Sequence, residues 1–527
     1  MIKQVELVLQ PEEAARESDY KLFLSRFLGV SESDITSFRL SKRSIDARSR
    51  QVKFRLFFYV ALGESLPAGE SFVRQYSNVS NAKPVIIIGF GPAGMFAALR
   101  LIELGYKPIV IERGKDVRSR RRDLAAINKQ GFVNEDSNYC FGEGGAGTYS
   151  DGKLYTRSGK RGNIQRVLHT FHEFGASENI LIDAHPHIGT NKLPGIVTAM
   201  REQIESCGGE IHFNTRLEEI IYDHHKIKGV KIKSVDSNSP AISISADAVI
   251  LATGHSARDI FRMLHEQKIL IEAKDFALGV RIEHPQNIID RVQYHCNDRG
   301  AYLPPAAYSL TTQAFDRGVY SFCMCPGGII APASTAPGEL VVNGWSPSRR
   351  NNPFANSGMV VSVGTKDFEQ FKKSGPLAAM EYQASVEKAC YVAGGGELKA
   401  PAQRVVDFCE GKASKGIIET SYLPGVSNVM LAEVLPAAVA QALRQGLKDF
   451  GKKMQGYYTN EAVLVGTESR TSSPVRIPRD KETCMHPEVA GLFPCAEGAG
   501  YAGGIVSAAM DGERCAEAAI KYIVGDF

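Results

Sequence analysis

The 527-residue chain lacks the features that mark several classes of protein. No apolar run approaches the ~20 residues that a membrane-spanning helix needs, and the first residues lack the basic and apolar blocks of a signal peptide. The formal net charge is only +4, which favours neither a nucleic acid nor a membrane as partner. Ten cysteines occur without regular spacing and without a C-x-x-C pair, which predicts reduced thiols and no metal site. We therefore expect a cytoplasmic protein whose partner is a small molecule.

The chain carries one dinucleotide-binding fingerprint. A run of β-branched residues from Val85 leads into a G-x-G-x-x-G turn, and a predicted helix follows from Met95. In such a turn the first glycine reverses the backbone, the second lets a pyrophosphate approach, and the third lets helix and strand pack closely. N–H groups at the start of the helix then hold the phosphates. The predicted contacts are Gly89, Phe90, Gly91, Pro92, Ala93 and Gly94.

A second predicted strand, Pro108–Ile111, ends on an acid. Glu112 lies about twenty residues past the glycines, where a carboxylate would accept a hydrogen bond from a ribose hydroxyl. The basic stretch that begins at Arg113 is expected near the adenosine half of the ligand. Because no second fingerprint is found, any NAD(P)H would have to dock without a glycine turn of its own.

Residues 1–80 predict a small N-terminal α+β domain, with a polar linker over 71–83. Its basic residues could form a docking face for a nucleic acid or a protein. Their alternation with apolar residues also fits one solvated face of an antiparallel strand, which we favour. The basic residues are Lys42, Arg43, Arg48, Arg50, Lys53 and Arg55.

The remaining chain predicts an α/β fold in which a Rossmann-like domain is interrupted. Alternating strands and helices indicate a dinucleotide-binding domain over 81–270, and this pattern returns over 461–527. Its predicted third and fourth strands are 211–216 and 248–254. Residues 271–460 are rich in turn-forming residues and lack that alternation, so they predict an inserted mixed α+β substrate domain.

Several motifs resemble flavoproteins of the glutathione-reductase type, which have two dinucleotide-binding domains. They are the 85–94 turn with Glu112, the strand end at Leu251–Gly254, and Gly491–Gly504. Four other segments resemble more closely a bacterial and plastid family of uncharacterised FAD-dependent oxidoreductases, often labelled NAD(FAD)-utilising dehydrogenases. These segments are 144–148, 189–193, 322–328 and 470–476.

This resemblance implies FAD, bound in an extended shape. A turn after the third strand, near Arg216 and Leu217, would offer backbone groups to the adenine edge. Glu497 stands where such proteins usually place an aspartate and would bond a ribityl hydroxyl. N–H groups at the start of the last helix would face the flavin N1 and C2 oxygen, where reduction places negative charge. The other residues implied are Thr253, Gly254, Gly498, Gly503, Gly504, Ile505 and Val506.

A glycine-rich segment follows the acid-terminated strand. Close backbone approach to the pyrophosphate or the flavin would explain three glycines among five residues. A flexible lid is the alternative. The segment comprises Gly144, Gly145, Ala146, Gly147 and Thr148.

The catalytic residues are unknown, but five side chains are candidates. Lys153 could stabilise the charge of reduced flavin or be a surface lysine. Cys323 and Cys325 lie on one face of a predicted strand, and we favour packing over dithiol chemistry for them. His187 could protonate a product or serve as a cap, and Arg470 could bind an anionic substrate or form an ion pair.

The expected function is that of an FAD-dependent oxidoreductase, a dehydrogenase or reductase with hydride transfer through flavin N5. It would reduce a C=C or C=N bond, or oxidise a C–H bond, of a small molecule, with NAD(P)H as a possible transient donor. Two alternatives stay open: a flavoprotein that acts on RNA through the N-terminal domain, and a non-catalytic flavin-binding scaffold.

Overall fold

The structure is a computed structural model that describes residues 1–68, 72, 74–156, 159, 162–237 and 239–526. Residues 71 and 73 of the predicted linker, and the last residue of the chain, lie outside this set. Among the described residues, no helix is both long and apolar enough to cross a membrane.

The described residues form 22 strands and 14 α-helices. The strands are β1 Ile2–Leu9, β2 Ile35–Asp46, β3 Lys53–Leu62, β4 Pro84–Ile88, β5 Lys107–Ile111, β6 Glu210–His212, β7 Thr215–Asp223, β8 Lys226–Ser234, β9 Ile242–Ser245, β10 Val249–Leu251, β11 Glu272–Ala273, β12 Phe276–Pro285, β13 Thr311–Ala314, β14 Arg317–Cys325, β15 Ile329–Pro332, β16 Val342–Trp345, β17 Phe354–Val363, β18 Ala400–Arg404, β19 Val426–Asn428, β20 Val463–Glu468, β21 Val475–Arg476 and β22 Leu492–Pro494. The helices are α1 Pro11–Ala14, α2 Tyr20–Leu28, α3 Pro92–Glu103, α4 Val117–Gln130, α5 Ile164–Glu173, α6 Asn179–Ile182, α7 Leu193–Ser206, α8 Arg258–Glu266, α9 Gln286–Tyr294, α10 Ala378–Gly394, α11 Val405–Glu410, α12 Leu431–Val434, α13 Ala437–Lys453 and α14 Ile505–Val524.

The N-terminal sheet has the order β1-β3-β2 and is antiparallel. Apolar residues of α2 pack on one face of it, with Leu24, Leu56 and Phe58 almost fully buried. Several of its basic side chains are paired within the chain: Arg43 with Asp183, Arg48 with Asp46, and Arg55 with Glu6. Pairing lowers the free positive charge of this face. A docking role for this face stays the less favoured alternative to a solvated face.

A five-stranded parallel sheet with the order β22-β10-β4-β5-β6 confirms the Rossmann-like fold class. Successive residues of β4 face opposite sides, because side chains alternate along a strand. Val85 and Ile87 pack with α3, α7 and α14, whereas Ile86 and Ile88 pack with α8 and the sheet β7-β8-β9. This burial on both faces explains the continuous run of β-branched residues.

The predicted third strand over 211–216 is wrong in its extent. The structure ends β6 at His212 and begins β7 at Thr215, which belongs to another sheet. Asn214, between them, has a φ of 51°, a left-handed conformation that a continuous strand does not contain. The chain therefore changes direction two residues before Arg216.

A seven-stranded sheet has the order β13-β14-β17-β12-β20-β18-β19 and forms the centre of the region after residue 271. Its outer helices include α10 and α13, whose apolar residues share one core with the sheet. Strand β20 pairs with both β12 and β18, so this sheet extends to Glu468, beyond the predicted boundary at residue 460. The sequence pattern missed this because β20 is a single buried strand without a following helix.

His284, on β12, makes stability depend on pH. Burial lowers the pKa of this fully buried histidine to about 4. Its Nε2 lies 2.8 Å from the carbonyl oxygen of Tyr457 and must donate to it, while Nδ1 has no partner among the described residues. Between pH 6.5 and 4 the unfolded chain binds a proton at this residue that the native state does not, so stability is lost as the pH falls.

We expect this histidine to contribute up to about 3 kcal/mol of that loss. His284→Gln keeps a donor for Tyr457 but does not titrate. Its urea midpoint should therefore fall less than that of the unsubstituted protein between pH 6.5 and 5. Equal falls in the two proteins would show that His284 is not the titrating group.

Candidate active site

The candidate site lies at the carboxyl edge of the parallel sheet. Ile88, Ile111, Leu251 and Pro494 are aligned in register at the ends of β4, β5, β10 and β22. The residues that follow them include most of the predicted cofactor contacts. Ligands of open parallel sheets bind at this edge.

Each glycine of the 89–94 turn is required for a different structural reason. Gly89 has a φ of 97°, and a Cβ there would lie 2.7 Å from the Ala252 oxygen. A Cβ on Gly94 would lie 2.0 Å from the Gly89 oxygen, so this glycine lets α3 pack on the turn. A Cβ on Gly91 would meet only the Cα of Gly145, at 3.9 Å. Gly91 is therefore the glycine that leaves room for a ligand.

Phe90 uses its ring and its backbone groups for contacts within the protein. Its ring is fully buried and packs edge-on against Phe213, with centroids 6.1 Å apart. Its N–H donates to Glu112 and its carbonyl accepts from the N–H of Gly144. The predicted cofactor contact of Phe90 thus has no free backbone group, because both are used to join the turn to its neighbours.

Glu112 joins three segments. Its carboxylate, 5 % exposed, accepts from the N–H groups of Phe90 at 2.8 Å, Gly114 at 2.9 Å and Gly142 at 2.9 Å. A carboxylate can accept about four hydrogen bonds, which leaves about one for a ribose hydroxyl. Sequence reasoning found this residue but not its second task of fixing the glycine turn.

Arg113 and Arg216 share one partner, Asp136. Arg113 lies over the Phe141 ring and also pairs with Asp259. The adenine-contacting turn predicted near Arg216 and Leu217 is not at these residues. Both lie within β7 and Leu217 is 4 % exposed, because the turn occurs at residues 213–214.

Arg120 fixes the glycine-rich segment 142–148. This fully buried guanidinium donates to the carbonyls of Asn138, Tyr139, Glu143 and Gly145, at 2.8–2.9 Å. The hydroxyl of Thr148, also fully buried, donates to the Glu143 carbonyl. These bonds favour a fixed wall over a flexible lid.

The same segment contacts the first turns of two helices. A Cβ on Gly145 would lie 3.1 Å from Gly91, and one on Gly147 would lie 3.3 Å from Pro92 and 3.6 Å from Ile505. Pro92 begins α3, and Ile505 begins α14. The residues Gly145–Gly147, whose middle residue is exposed, therefore border both helix N-termini.

The start of α14 is open. A Cβ on Gly503 or Gly504 would find no atom within 4 Å, and both residues are exposed. The carboxylate of Glu497 accepts from the N–H of Gly504. The N–H groups of the first helical residues, Ile505 and Val506, have no acceptor within the helix.

His255 is a neighbour of this open end that the sequence analysis missed. Its Nε2 lies 3.6 Å from Glu497, and burial lowers its pKa although the carboxylate opposes the change. Gly254, just before it, is exposed, and a Cβ there would meet no atom within 4 Å. The sequence signal that could have identified His255 is its position directly after the strand end Leu251–Gly254.

The open glycines provide a test of whether a dinucleotide fits. Gly91, Gly254, Gly503 and Gly504 come from three distant segments, yet each leaves space at its Cα. Gly498 instead packs on the strand end, since a Cβ there would lie 1.9 Å from the Thr253 oxygen. Backbone N–H groups, one helix N-terminus on each side and free space suit phosphates and a flat ring system.

Arg470 lies in a buried ionic cluster. Its guanidinium contacts Glu387 at 3.0 Å, Glu339 at 3.4 Å and the hydroxyl of Thr335 at 2.6 Å. Arg258 of α8 pairs with the same two glutamates, at 2.9 and 3.0 Å. Since two cations meet two anions, the structure does not leave Arg470 free to bind an anionic substrate. The cluster instead joins α8 to α10.

Lys153 and the two cysteines converge. The Lys153 Nζ lies 3.6 Å from the Sγ of Cys323 and 3.7 Å from that of Cys325. The backbones of Lys153 and His187 form a β-bridge, and the His187 ring contacts the Ser348 carbonyl. Four of the five catalytic candidates thus lie in one region, whereas the side chain of Arg470 pairs with Glu387 and Glu339.

A second group of thiols was also missed. Cys495, Cys515 and Asp511 are buried with their ligand atoms within 4.8 Å of one another. Asp511, however, pairs with Arg479 through both carboxylate oxygens. Asp511 and Cys515 lie one helical turn apart on α14, but Cys495 follows β22, so no local spacing in the sequence indicates the group.

Comparisons with known proteins identify the family. Residues 275–471 match the family FAD-dependent protein, C-terminal domain-like, and residues 1–60 match a domain of unknown function, DUF8436. An uncharacterized protein of Clostridium beijerinckii is 42% identical over 514 residues, with 94% of each chain covered. The chain belongs to the family of that protein. It carries the C-terminal domain of FAD-dependent proteins, which supports FAD as the cofactor.

Solved structures offer weaker likenesses. CmlS, a flavin-dependent halogenase, is 10% identical with a TM-score of 0.36, and the match covers 85% of this chain but only 60% of the halogenase. A flavoprotein/dehydrogenase from Cytophaga hutchinsonii is 11% identical with a TM-score of 0.36, covering 84% of this chain and 79% of that one. At such scores these proteins say nothing about the reaction.

Proposed function

We propose that this protein is an FAD-dependent oxidoreductase whose cofactor lies along the carboxyl edge of the parallel sheet, from Glu112 to the start of α14. The observation that carries this proposal is the open space at Gly91, Gly254, Gly503 and Gly504, at one sheet edge and at two helix N-termini. The match of residues 275–471 to FAD-dependent proteins supports the same cofactor.

The residues would share the binding as follows. N–H groups at the start of α3, beside Gly91, would hold the pyrophosphate, and the remaining acceptor site of Glu112 would bind a ribose hydroxyl. Glu497, whose side chain is 29% exposed, would accept from a ribityl hydroxyl. The segment Gly145–Gly147 would form the wall of the pocket.

The flavin end would lie against the N-terminus of α14. FAD, when bound, supplies a centre that accepts or donates a hydride at N5. The free N–H groups of Ile505 and Val506, with the positive end of the helix dipole, would stabilise negative charge on the pyrimidine side of the ring. His255, whose pKa is lowered by burial, would exchange a proton beside Glu497.

For the reaction we infer reduction of a C=C or C=N bond, with oxidation of a C–H bond next in order. NAD(P)H would dock transiently. We include in this proposal membership of the narrower family of NAD(FAD)-utilising dehydrogenases.

The first test is chemical. The purified protein, denatured by heat, should release FAD, identified by its mass, in about one equivalent. In a separate sample of the native protein, anaerobic addition of NADH or NADPH should bleach the visible flavin absorption band. Protein that takes up no flavin would end the proposal. Bound FAD that no donor reduces, and no turnover with any acceptor, would favour a binding scaffold instead.

A further inference from the structure

A β-bulge brings two thiols together on β14. Phe322 pairs with Gly358 and Cys325 pairs with Asn356, so Cys323 and Met324 both face the single residue Ser357. Cys323 has a φ of 47°, a left-handed conformation that is uncommon for a side chain other than glycine. Such bulges redirect side chains next to functional sites.

Two cations from other elements face the thiols. Lys153 lies 3.6–3.7 Å from both sulfur atoms, and its side chain is about one-third exposed. Arg281 of β12, fully buried, donates to the Cys323 carbonyl at 2.7 Å and lies 3.5 Å from the Cys325 sulfur. Arg281 also pairs with Glu468 of β20 at 2.6 Å, so its position is fixed.

The two thiols have different environments. Cys323 is partly exposed, whereas Cys325 is fully buried. A hydrogen bond from the Cys325 thiol, with the positive charges of Lys153 and Arg281, lowers the pKa of Cys323 well below its usual value, although burial and Asp151 oppose this. The same hydrogen bond and burial raise the pKa of Cys325. The thiol of Cys323 is therefore the more acidic of the two.

We propose that Cys323 and Cys325 form a reactive dithiol that exchanges with small-molecule disulfides. The Cys323 thiolate attacks one sulfur of the substrate R–S–S–R, the S–S bond breaks, and RS⁻ leaves. Cys325 then passes its proton to that thiolate and attacks the Cys323 sulfur, which releases a second RS⁻ and forms a Cys323–Cys325 disulfide. One disulfide is reduced to two thiols, and the protein dithiol is oxidised.

The arrangement fits exchange better than permanent cross-linking. An accessible, ionised thiol attacks, and a buried neighbour resolves the mixed disulfide. A disulfide across one intervening residue encloses a small ring, and strained disulfides are the ones that are easily reduced again. This activity is independent of FAD binding, so its failure would leave the proposed function untouched.

The test uses the full-length protein and hydroxyethyl disulfide as the probe, with each cysteine followed by peptide mass. In Cys325→Ser, the mixed disulfide on Cys323 cannot be resolved and should accumulate. In the unsubstituted protein no adduct should persist, and the peptide with both cysteines should become two hydrogen atoms lighter. In Cys323→Ser neither product should form. Circular dichroism confirms that each variant is folded.

Cys296 serves as an internal control, because it is also partly exposed but burial raises its pKa. At pH 7 we expect Cys323 to react about tenfold faster than Cys296, since an ordinary thiol is only a few per cent ionised and a low pKa costs some nucleophilicity. Equal rates at the two residues, or an adduct that persists in the unsubstituted protein, would overturn the proposal.

Lys153 can be tested through the pH profile. Lys153→Met removes the ammonium, so the pH at which Cys323 alkylation by iodoacetamide reaches half its maximal rate should rise. Lys153→Arg keeps the charge and should restore the original profile. Arg281, Asp151 and Glu468 remain unchanged in both variants, so a profile that does not move would exclude Lys153 as the activating group.

Discussion

Replacing Gly91 with alanine is expected to weaken FAD binding roughly tenfold to hundredfold, as an overpacked contact costs about 1–3 kcal/mol. The apoprotein should remain folded, because Gly91 has a φ of −78° and its new methyl group would meet only Gly145, at 3.9 Å. Titration of the apoprotein with FAD, followed by flavin fluorescence, measures the effect.

Two other glycines provide controls. Gly94→Ala would place a methyl group 2.0 Å from the Gly89 oxygen, so it should lower stability as well as FAD affinity. Gly195→Ala, at an exposed position of α7 with no atom within 4 Å, should change neither property for the worse. If Gly91→Ala binds FAD as tightly as Gly195→Ala, the phosphates do not lie over the turn.

Removing the carboxylate of Glu387 is expected to lower the free energy of unfolding by about 3–5 kcal/mol. Burial alone would raise the pKa of this fully buried residue, but Arg258 and Arg470 outweigh it and lower the pKa to about 2. Glu387→Ala leaves two buried guanidinium groups with only Glu339 as a carboxylate partner. The urea unfolding midpoint measures the loss.

Glu381→Ala is the matched control for this prediction. Glu381 lies on the same helix, α10, and pairs with Arg262 at 3.1 Å, but the two side chains are 31% and 48% exposed. Exposed pairs contribute about 0–1 kcal/mol. Similar midpoints for Glu381→Ala and Glu387→Ala would mean that the buried cluster does not hold the two parts of the chain together.

Local patterns in the sequence predicted the glycine turn well. The strand before Gly89, helix α3 and strand β5 were expected, because their signals lie within about thirty residues of one another. The exact ends differ by a few residues: α3 begins at Pro92 rather than Met95. Proline at a first helical position is favourable, which explains the earlier start.

Contacts between distant segments could not be predicted from the sequence. Lys153 meets Cys323 across 170 positions, and Arg258 meets Glu387 across 129. Nothing in the residues near either partner specifies the other, since the pairing depends on how distant elements such as α8 and α10 pack in the folded chain. The bulge at Cys323 likewise depends on the register with β17, so the sequence could only suggest a regular strand.

The order of strands in the parallel sheet has a consequence for synthesis on the ribosome. Strand β4 is complete by residue 88, but β10 follows at residues 249–251, β22 begins only at residue 492, and α14 begins at residue 505. Helix α14 packs against α3, so the part of the apolar surface of α3 that α14 covers stays exposed while some four hundred further residues are made. At 5–20 residues per second that interval is roughly 20–80 s. During it, the nascent chain offers chaperones an apolar surface that the finished protein hides.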